Sequence, residues 1–485
     1  MRGWFDWRRE ALSTEDADRS FSEIEASTSS LSSLPSSTSS SSPSLSPLPS
    51  LQPSNQYRYS IISNDNRNSI TTARNKRLLL MINIISVIIV INIIVFVIIH
   101  TFKNSKHHDD EASTCTSSDC STLQYYSFHN NDNNALCNDG SFGGYYYKAS
   151  GVIKPLNVFI IFLPGGAQCY DEVSCLGRSS SLSSSSSWPQ TKYGDGILSD
   201  NPSHSPLWYA NKAYLGYCSS DGYMGNTVSW GLHFRGIALI DAMIYNLRMH
   251  HGLDDADLIV FAGVSAGARG VMANLDRLVD TRLFPQVPVI GYIDSPYYLD
   301  LVPYDTAFVG FSYAEQHKYQ SMNTSGILSQ ECKNDFITTN NEWKCQLGQY
   351  RMPYIKSPYF FIASRFDTYQ LGNNLGPPTG NDGLYSTAQI NWANNFAGLT
   401  LAKVNNLITN ASMGHLSSNV SRSYFVNACS NHAVSGTPTF YSNMKINGNN
   451  LYDAFSSFLK TYNDNHMTIT SWIDSCNGFA CGISC

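Results

Sequence analysis

Leu258 to Leu278 reads LIVFAGVSAGARGVMANLDRL. Leu258 to Ala262 is a continuous apolar run, long enough for a buried strand. Gly263-Val264-Ser265-Ala266-Gly267 follows, and then Val271, Leu275 and Leu278 recur at helical spacing. Strand, sharp turn and helix form the context that a G-x-S-x-G nucleophile elbow requires. The serine backbone is strained in such a turn, and side chains in place of the flanking glycines would collide with the neighbouring strand and helix. The hydroxyl of Ser265 is thereby raised above a sheet edge, at the positive end of a helix. The competing reading is a Gly-rich turn whose serine only caps the helix.

The 485 residues carry a net charge of −6 with only 14% charged residues, which leaves no electrostatic footprint for a nucleic-acid partner. With 29 Tyr, 23 Phe and 8 Trp, a large core is available. Residues 1–77 are a different kind of chain. Ser27 to Ser50 is mostly Ser, Pro and Leu without a period, and cannot bury enough apolar surface to order itself. Leu78 to Ile99 carries no charge over 22 residues, the length of a helix that spans a bilayer core of about 30 Å. Arg74, Lys76 and Arg77 abut its N-terminal end, a bias that places the tail inside. The expected topology is single-pass type II, with the bulk of the chain luminal or extracellular, in the Golgi or at the cell surface.

Cysteine usage agrees with that orientation. All 12 cysteines follow the apolar segment, from Cys115 to Cys485, as expected of disulfides in an oxidising compartment. Cys476, Cys481 and Cys485 lack zinc-site spacing, so neither a metal nor a cofactor is expected. Sequons at Asn323, Asn410 and Asn419 are compatible with glycosylation. Residues 100–134 are polar and read as a stalk, and the folded domain is expected over 135–485.

Within that domain, Val158 to Leu163 is a buried-strand run ending at Pro164-Gly165-Gly166. Such a loop supplies one backbone oxyanion donor, and the residue after the nucleophile supplies the other. The candidates are Ala167 or Gly166, and Ala266. Arg178 to Ser187, nearly all Ser, reads as a surface insertion. Tyr214 to Cys218, Val287 to Ile293 and Tyr359 to Ala363 are further strand candidates, and Ile237 to His250 carries a helical stripe. The alternation predicts an α/β fold of the α/β-hydrolase kind, mostly parallel with flanking helices. The order nucleophile, acid, base then offers Asp367 as acid, with Asp294 as second choice, and leaves His415, His432 and His466 open as base.

From about Cys137 to Cys485 the chain resembles the pectin acetylesterase and Notum carboxylesterase family. The resemblance is carried by Leu163 to Cys169 with Cys175, Trp188-Pro189, Gly194 to Leu198, Tyr217 to Asp221, His233 to Gly236, Gly263 to Gly267, Asp294 with Tyr297 to Asp300, Phe366-Asp367 with Gln370-Leu371, Cys429 to His432, and the segment with Asp474-Ser475-Cys476, Cys481 and Cys485. Several of these are similar to Notum in particular. The resemblance implies Ser265 as nucleophile, Asp367 as acid and His432 as base. It implies a Cys137–Cys218 disulfide, and Cys169 with Cys175 and Cys332 with Cys345 are expected to pair locally. The family's aromatic after Gly-Gly is Ala167 here, followed by Gln168, and Tyr298 stands where Phe is usual. Gln168 and Tyr298 are therefore expected in a smaller, more polar substrate pocket.

The expected function is a serine carboxylesterase removing an acetyl group from a polysaccharide such as pectin. The alternative is a Notum-like deacylase taking a fatty acyl (palmitoleoyl) group from a secreted protein. An inactive binding protein on the same fold would be expected to lose a triad residue, and a Ser-rich adhesin would not keep its Ser tracts in the cytosol. Protease added to sealed microsomes should trim residues 1–77 and spare the rest. Protection of the tail with digestion of the Cys-rich part would reverse the topology.

Overall fold

The computed structural model describes residues 121–129, 134–152, 156–380, 383–414, 416, 420–463 and 467–483. The chain divides into two compact units, and the unit of residues 14–114 lies outside the described residues. So do the tail at 1–77, the apolar segment 78–99, Asn419, His415 and His466. No described helix is long and apolar enough to cross a membrane.

Twelve strands organise the described chain: β1 (Ser121–Ser127), β2 (Gly144–Lys148), β3 (Val158–Leu163), β4 (Thr191–Gly194), β5 (Asn211–Leu215), β6 (Thr227–Ser229), β7 (Leu232–Phe234), β8 (Leu258–Val264), β9 (Val289–Asp294), β10 (Tyr359–Ser364), β11 (Arg422–Asn427) and β12 (Ile469–Ile473). Ten of them form one sheet in the order β12-β11-β10-β9-β8-β3-β5-β2-β1-β4, and β6 pairs with β7 separately. The seven strands from β12 to β5 run parallel, while β2, β1 and β4 complete the other edge antiparallel. The expected α/β architecture with a mostly parallel sheet is present.

The near-continuous apolar runs of β3 and β8 follow from burial on both faces. Phe159, Ile161 and Leu163 of β3 join Ile259 and Phe261 of β8 in one core. Val158, Ile160 and Phe162 join Leu258, Val260 and Ala262 in the other. Helices Gly236–His251, Ala266–Asp280 and Thr387–Ser412 cover the first face, and helix Leu451–Asn463 covers the second with Leu451, Phe455 and Phe458. Each such buried side chain contributes about 1.5–3 kcal/mol of transfer free energy.

Three expectations need correction. The stalk assigned to residues 100–134 does not reach 134, because β1 is already in the sheet, with Ser121 and Leu123 buried. Its burial comes from cross-strand neighbours, with Ser121 and Leu123 paired to β4 and Leu123 packed against Gly194, which leave no local periodicity in the sequence. The run Arg178–Ser187 is not a bare surface insertion. Ser180–Ser183 is a short helix, and Leu182 packs against the main core. The strand expected at 214–218 is shifted to β5, because Trp188 packs where any side chain on residue 216 would stand.

Disulfides join Cys137 to Cys218, Cys169 to Cys175, Cys332 to Cys345 and Cys476 to Cys481. The first three are the pairs expected. There is no free cysteine among the described residues.

The two glycines around Ser265 are required by contact. A Cβ on Gly267 would stand 1.9 Å from the Leu163 carbonyl oxygen, and one on Gly263 would stand 2.4 Å from the Gly267 oxygen. The first turn of helix Ala266–Asp280 is thus pressed against the ends of β3 and β8. Gly267→Ala should destabilise the protein by at least about 1–3 kcal/mol, an overpacking penalty. Gly398→Ala, in a helix position with open space, should be neutral or stabilise by about 0.5–1 kcal/mol. Thermal unfolding of the two variants checks this; equal melting temperatures would contradict the close-contact argument.

Candidate active site

Parallel strands deliver their C-terminal ends to one edge of the sheet, where loops collect side chains from distant parts of the chain. Ser265 follows β8, Asp367 follows β10 and His432 follows β11. Strand register brings them to one level: Val264 pairs with Asp294, Ile362 with Asp294, and Ser364 with Asn427.

Ser265 has φ 54° and ψ −120°. A non-glycine residue in this region costs about 1–3 kcal/mol and persists only where its surroundings over-determine it. Here the Ser265 N–H donates to the Asp294 carbonyl at 2.9 Å, and the Gly267 contact leaves the helix no room to retreat. The hydroxyl that results is 2.7 Å from His432 Nε2. His432 Nδ1 is 2.7 Å from Asp367 Oδ2. Asp367 is buried, and its other oxygen accepts the Gln370 N–H at 2.9 Å as a helix cap, which fixes the carboxylate. His432, among the histidines left open by chain order, is bonded to Ser265, and His415 and His466 lie outside the described residues.

Asp294, the second-choice acid, does not bond His432. Its carboxylate accepts from Ser435 N–H at 2.8 Å, Ser435 Oγ at 2.6 Å and Ser295 Oγ at 2.9 Å. Ser295 Oγ in turn accepts the Ala433 N–H at 3.1 Å. Asp294 and Ser295 therefore hold the loop that carries His432. Burial raises the Asp294 carboxyl above the usual carboxylate value, against the pull of these hydrogen bonds.

Burial by itself would lower the His432 imidazole, but the charge of Asp367, its hydrogen bond and the more distant Asp294 outweigh it, so the net shift is upward. Tyr369 stacks on the imidazole with centroids 5.2 Å apart. The Tyr298 hydroxyl lies 3.3 Å from Ser265 Oγ, and burial pushes its ionisation far above the usual range, so it remains a neutral phenol.

Gly165 lies beside the nucleophile: a Cβ there would be 3.0 Å from the Ser265 Cβ. Gly166 has φ 145° and Ala167 φ 54°, so the expected oxyanion loop is in an unusual conformation at the expected place. Ala167 and Ala266 line one cavity, together with Gln168, Tyr170, Arg269, Tyr298, Phe308, Phe311, Ala314 and Tyr369. Gln168 and Tyr298 are thus where a pocket was expected.

Behind Gln168 and Arg269 lies a buried charge cluster that sequence reading missed. Glu315 pairs with Arg269 at 2.6 Å and with Lys318 at 2.8 Å. The Gln168 amide donates to Glu315 and accepts from Lys318 at 2.8 Å. Burial, with the Arg269 charge beside it, pulls the Lys318 ammonium down to about 8, while Arg269 and Lys318 together overcome burial to hold Glu315 below its usual value. A signal was present: Arg269 stands four residues after Ser265, on the same helix face, in a turn of small residues.

A strained serine on a strand-to-helix turn, joined through an imidazole to a buried carboxylate, is the arrangement of serine hydrolases. The model of the family described as Pectinacetylesterase matches residues 116–485. The chain belongs to the pectinacetylesterase family, whose members are carboxylic ester hydrolases. Palmitoleoyl-protein carboxylesterase notum2 of Xenopus laevis is 35% identical over 250 residues, 48% of this chain and 50% of the relative. The human palmitoleoyl-protein carboxylesterase NOTUM is 33% identical over 251 residues, 48% and 49% of the two chains. The chain spans about half the length of these curated relatives. The crystal structure of the Wnt deacylase Notum from Drosophila matches with a TM-score of 0.64 and 27% identity, covering 75% of this chain and 100% of that one.

The sign of the His432 shift is testable directly. Its imidazole should titrate above the ordinary value of 6.5, followed by NMR of the ring protons. Asp367→Asn removes the facing charge and should move the midpoint down. By linkage, the stability contributed by this pair is fully present below 6.5 and is lost as pH rises through the folded-state value. A midpoint at or below 6.5 in the unaltered protein would contradict the geometry.

Proposed function

We propose that the protein is a serine carboxylesterase working through an acyl-enzyme. The observation that carries this is the hydrogen-bonded chain Ser265–His432–Asp367, with both links at 2.7 Å. In this reading Ser265 Oγ attacks the acyl carbonyl carbon while His432 Nε2 takes its proton. Asp367 orients the ring through Nδ1–H and stabilises the imidazolium, without taking the proton itself. The N–H groups of Ala167 or Gly166 and of Ala266 receive the oxyanion. Collapse breaks the bond to the alkoxide, which leaves with the proton from His432, and water repeats the sequence to free the acid.

The acyl group proposed is short, an acetyl on an extracellular or Golgi polysaccharide. Support comes from the cavity wall. Gln168 and Arg269 line it, and both are tied to the buried Glu315–Lys318 pair. A long hydrocarbon laid there would meet the Gln168 amide and the Arg269 guanidinium on one side, polar groups that return less on burial than an all-apolar wall. A second reading keeps a fatty acyl chain, as on an acylated secreted protein. It is favoured by the aromatic side of the same cavity, Tyr298, Phe308, Phe311 and Tyr369, and by the names of the relatives. The disulfides among the described residues fit a luminal or extracellular domain. Anchoring through residues 78–99, tail inward, completes the proposal.

Ser265→Ala and His432→Ala should each remove nearly all esterase activity while leaving the fold intact, because triad members act as a unit. His415→Ala and His466→Ala should retain it. Across p-nitrophenyl esters from acetyl to long chain, kcat/KM should be highest for the shortest. A maximum at long chains would transfer the assignment to the fatty-acyl reading. Full activity of Ser265→Ala would end the serine-esterase reading.

A further inference from the structure

The loop Pro164–Cys169 beside Ser265 has two successive residues with positive φ, and Ala167 has no glycine freedom to make that easy. Two side chains brace it. Arg178 donates through Nη2 to the Gly166 carbonyl at 2.5 Å, and the Tyr217 hydroxyl donates to the Ala167 carbonyl at 2.8 Å. The Gly166 carbonyl and the Ala167 N–H belong to one planar peptide, so they point in opposite directions. A cationic donor on the oxygen therefore sets the direction of the N–H and polarises it, since hydrogen bonds in a chain strengthen one another.

We propose that Arg178 is a positioning residue for the oxyanion site: it fixes and polarises the Gly166–Ala167 peptide so that its N–H meets the charge that develops on the substrate oxygen. This rests on the esterase reading. The guanidinium is itself held in place. Its Nε donates to Ser220 Oγ at 3.1 Å, and that hydroxyl donates to the Leu182 carbonyl at 3.1 Å. Leu182 closes on Gly166 from the same side, so that a Cβ on Gly166 would be 2.9 Å from its Cδ2. The Cys169–Cys175 bridge ties the loop to the segment that leads into Arg178. The serine-rich run after Arg178 is thus a buttress for the oxyanion loop. Arginine suits the task because its rigid fork serves Gly166 and Ser220 at once, which one lysine ammonium on a flexible stem does less well.

The test uses the full chain with a short-chain p-nitrophenyl ester, and a trifluoromethyl ketone whose adduct with serine carries the same oxyanion. Arg178→Ala should lower kcat by roughly 10–100-fold, less than or comparable to losing a donor outright, with KM within about threefold. Affinity for the ketone should fall in step with kcat. The acid limb of the pH profile should stay in place, since the His432–Asp367 pair is untouched. Arg178→Lys should recover part of the loss. A kcat within about twofold of wild type, or a lowered kcat with unchanged ketone affinity, would overturn the proposal. If Arg178→Ala does not fold, Arg178→Lys and Arg178→Gln decide the matter: equal activity in the two would overturn it, and a graded loss would support it. A wild-type protein with no turnover and no ketone binding would instead overturn the esterase reading beneath it.

Discussion

The contact on which the site depends is backbone against backbone. The first turn of helix Ala266–Asp280 touches the end of β3 at Gly267, closely enough to exclude a methyl group. That approach leaves Ser265 no conformation but a strained one, and the strain lifts its hydroxyl out of the sheet edge. It also brings the loop after β3 beside the nucleophile, since Gly165 sits against Ser265. Nucleophile and proposed oxyanion donors are therefore placed by one packing event. The histidine and its carboxylate come from β11 and β10, and their positions relative to Ser265 are set by strand register.

The parts legible in the sequence were those whose signal is local. β3 and β8 are buried on both faces, so they read as unbroken apolar runs, and the serine turn is written in its two glycines. The strand β11 was not legible. Its sequence, RSYFVN, places Arg422, Ser423 and Asn427 in the interior. Arg422 is accommodated there because its guanidinium reaches the Ile355 carbonyl at 3.0 Å and lies over the Tyr359 ring, partners far away in the chain. β1 was hidden for the same reason: its buried residues, Ser121 and Leu123, pair with β4, far away in the chain. Chain order alone left three histidines open, and the family resemblance selected the one that the geometry also brings to Ser265. The Arg269–Glu315–Lys318 cluster joins a helix after β8 to a helix after β9, a pairing no local pattern announces.

That cluster gives the cavity two unlike walls. One is aromatic, with Tyr298 stacked on Phe311 at 5.0 Å and on Tyr369 at 5.8 Å. The other is made by Gln168 and Arg269, and behind them Glu315 and Lys318 pair out of water. Buried charges of this kind are costly to disturb, because removing one partner strands the others. The polar wall is thus a fixed feature and not a surface that a longer acyl chain would reshape. The same helix start that carries Ser265 carries Arg269, so the nucleophile and the pocket's polar limit move together.

The central claim is that Ser265 carries the acyl group during turnover. It is tested most directly by mixing the protein with a p-nitrophenyl acetate substrate, quenching in acid within the turnover time, and reading the Ser265 peptide by mass spectrometry. The account predicts a peptide heavier by one acetyl group, with the modification on Ser265 and no such peptide from Ser265→Ala. Acetyl found on another side chain, or turnover with Ser265 never modified, would contradict it.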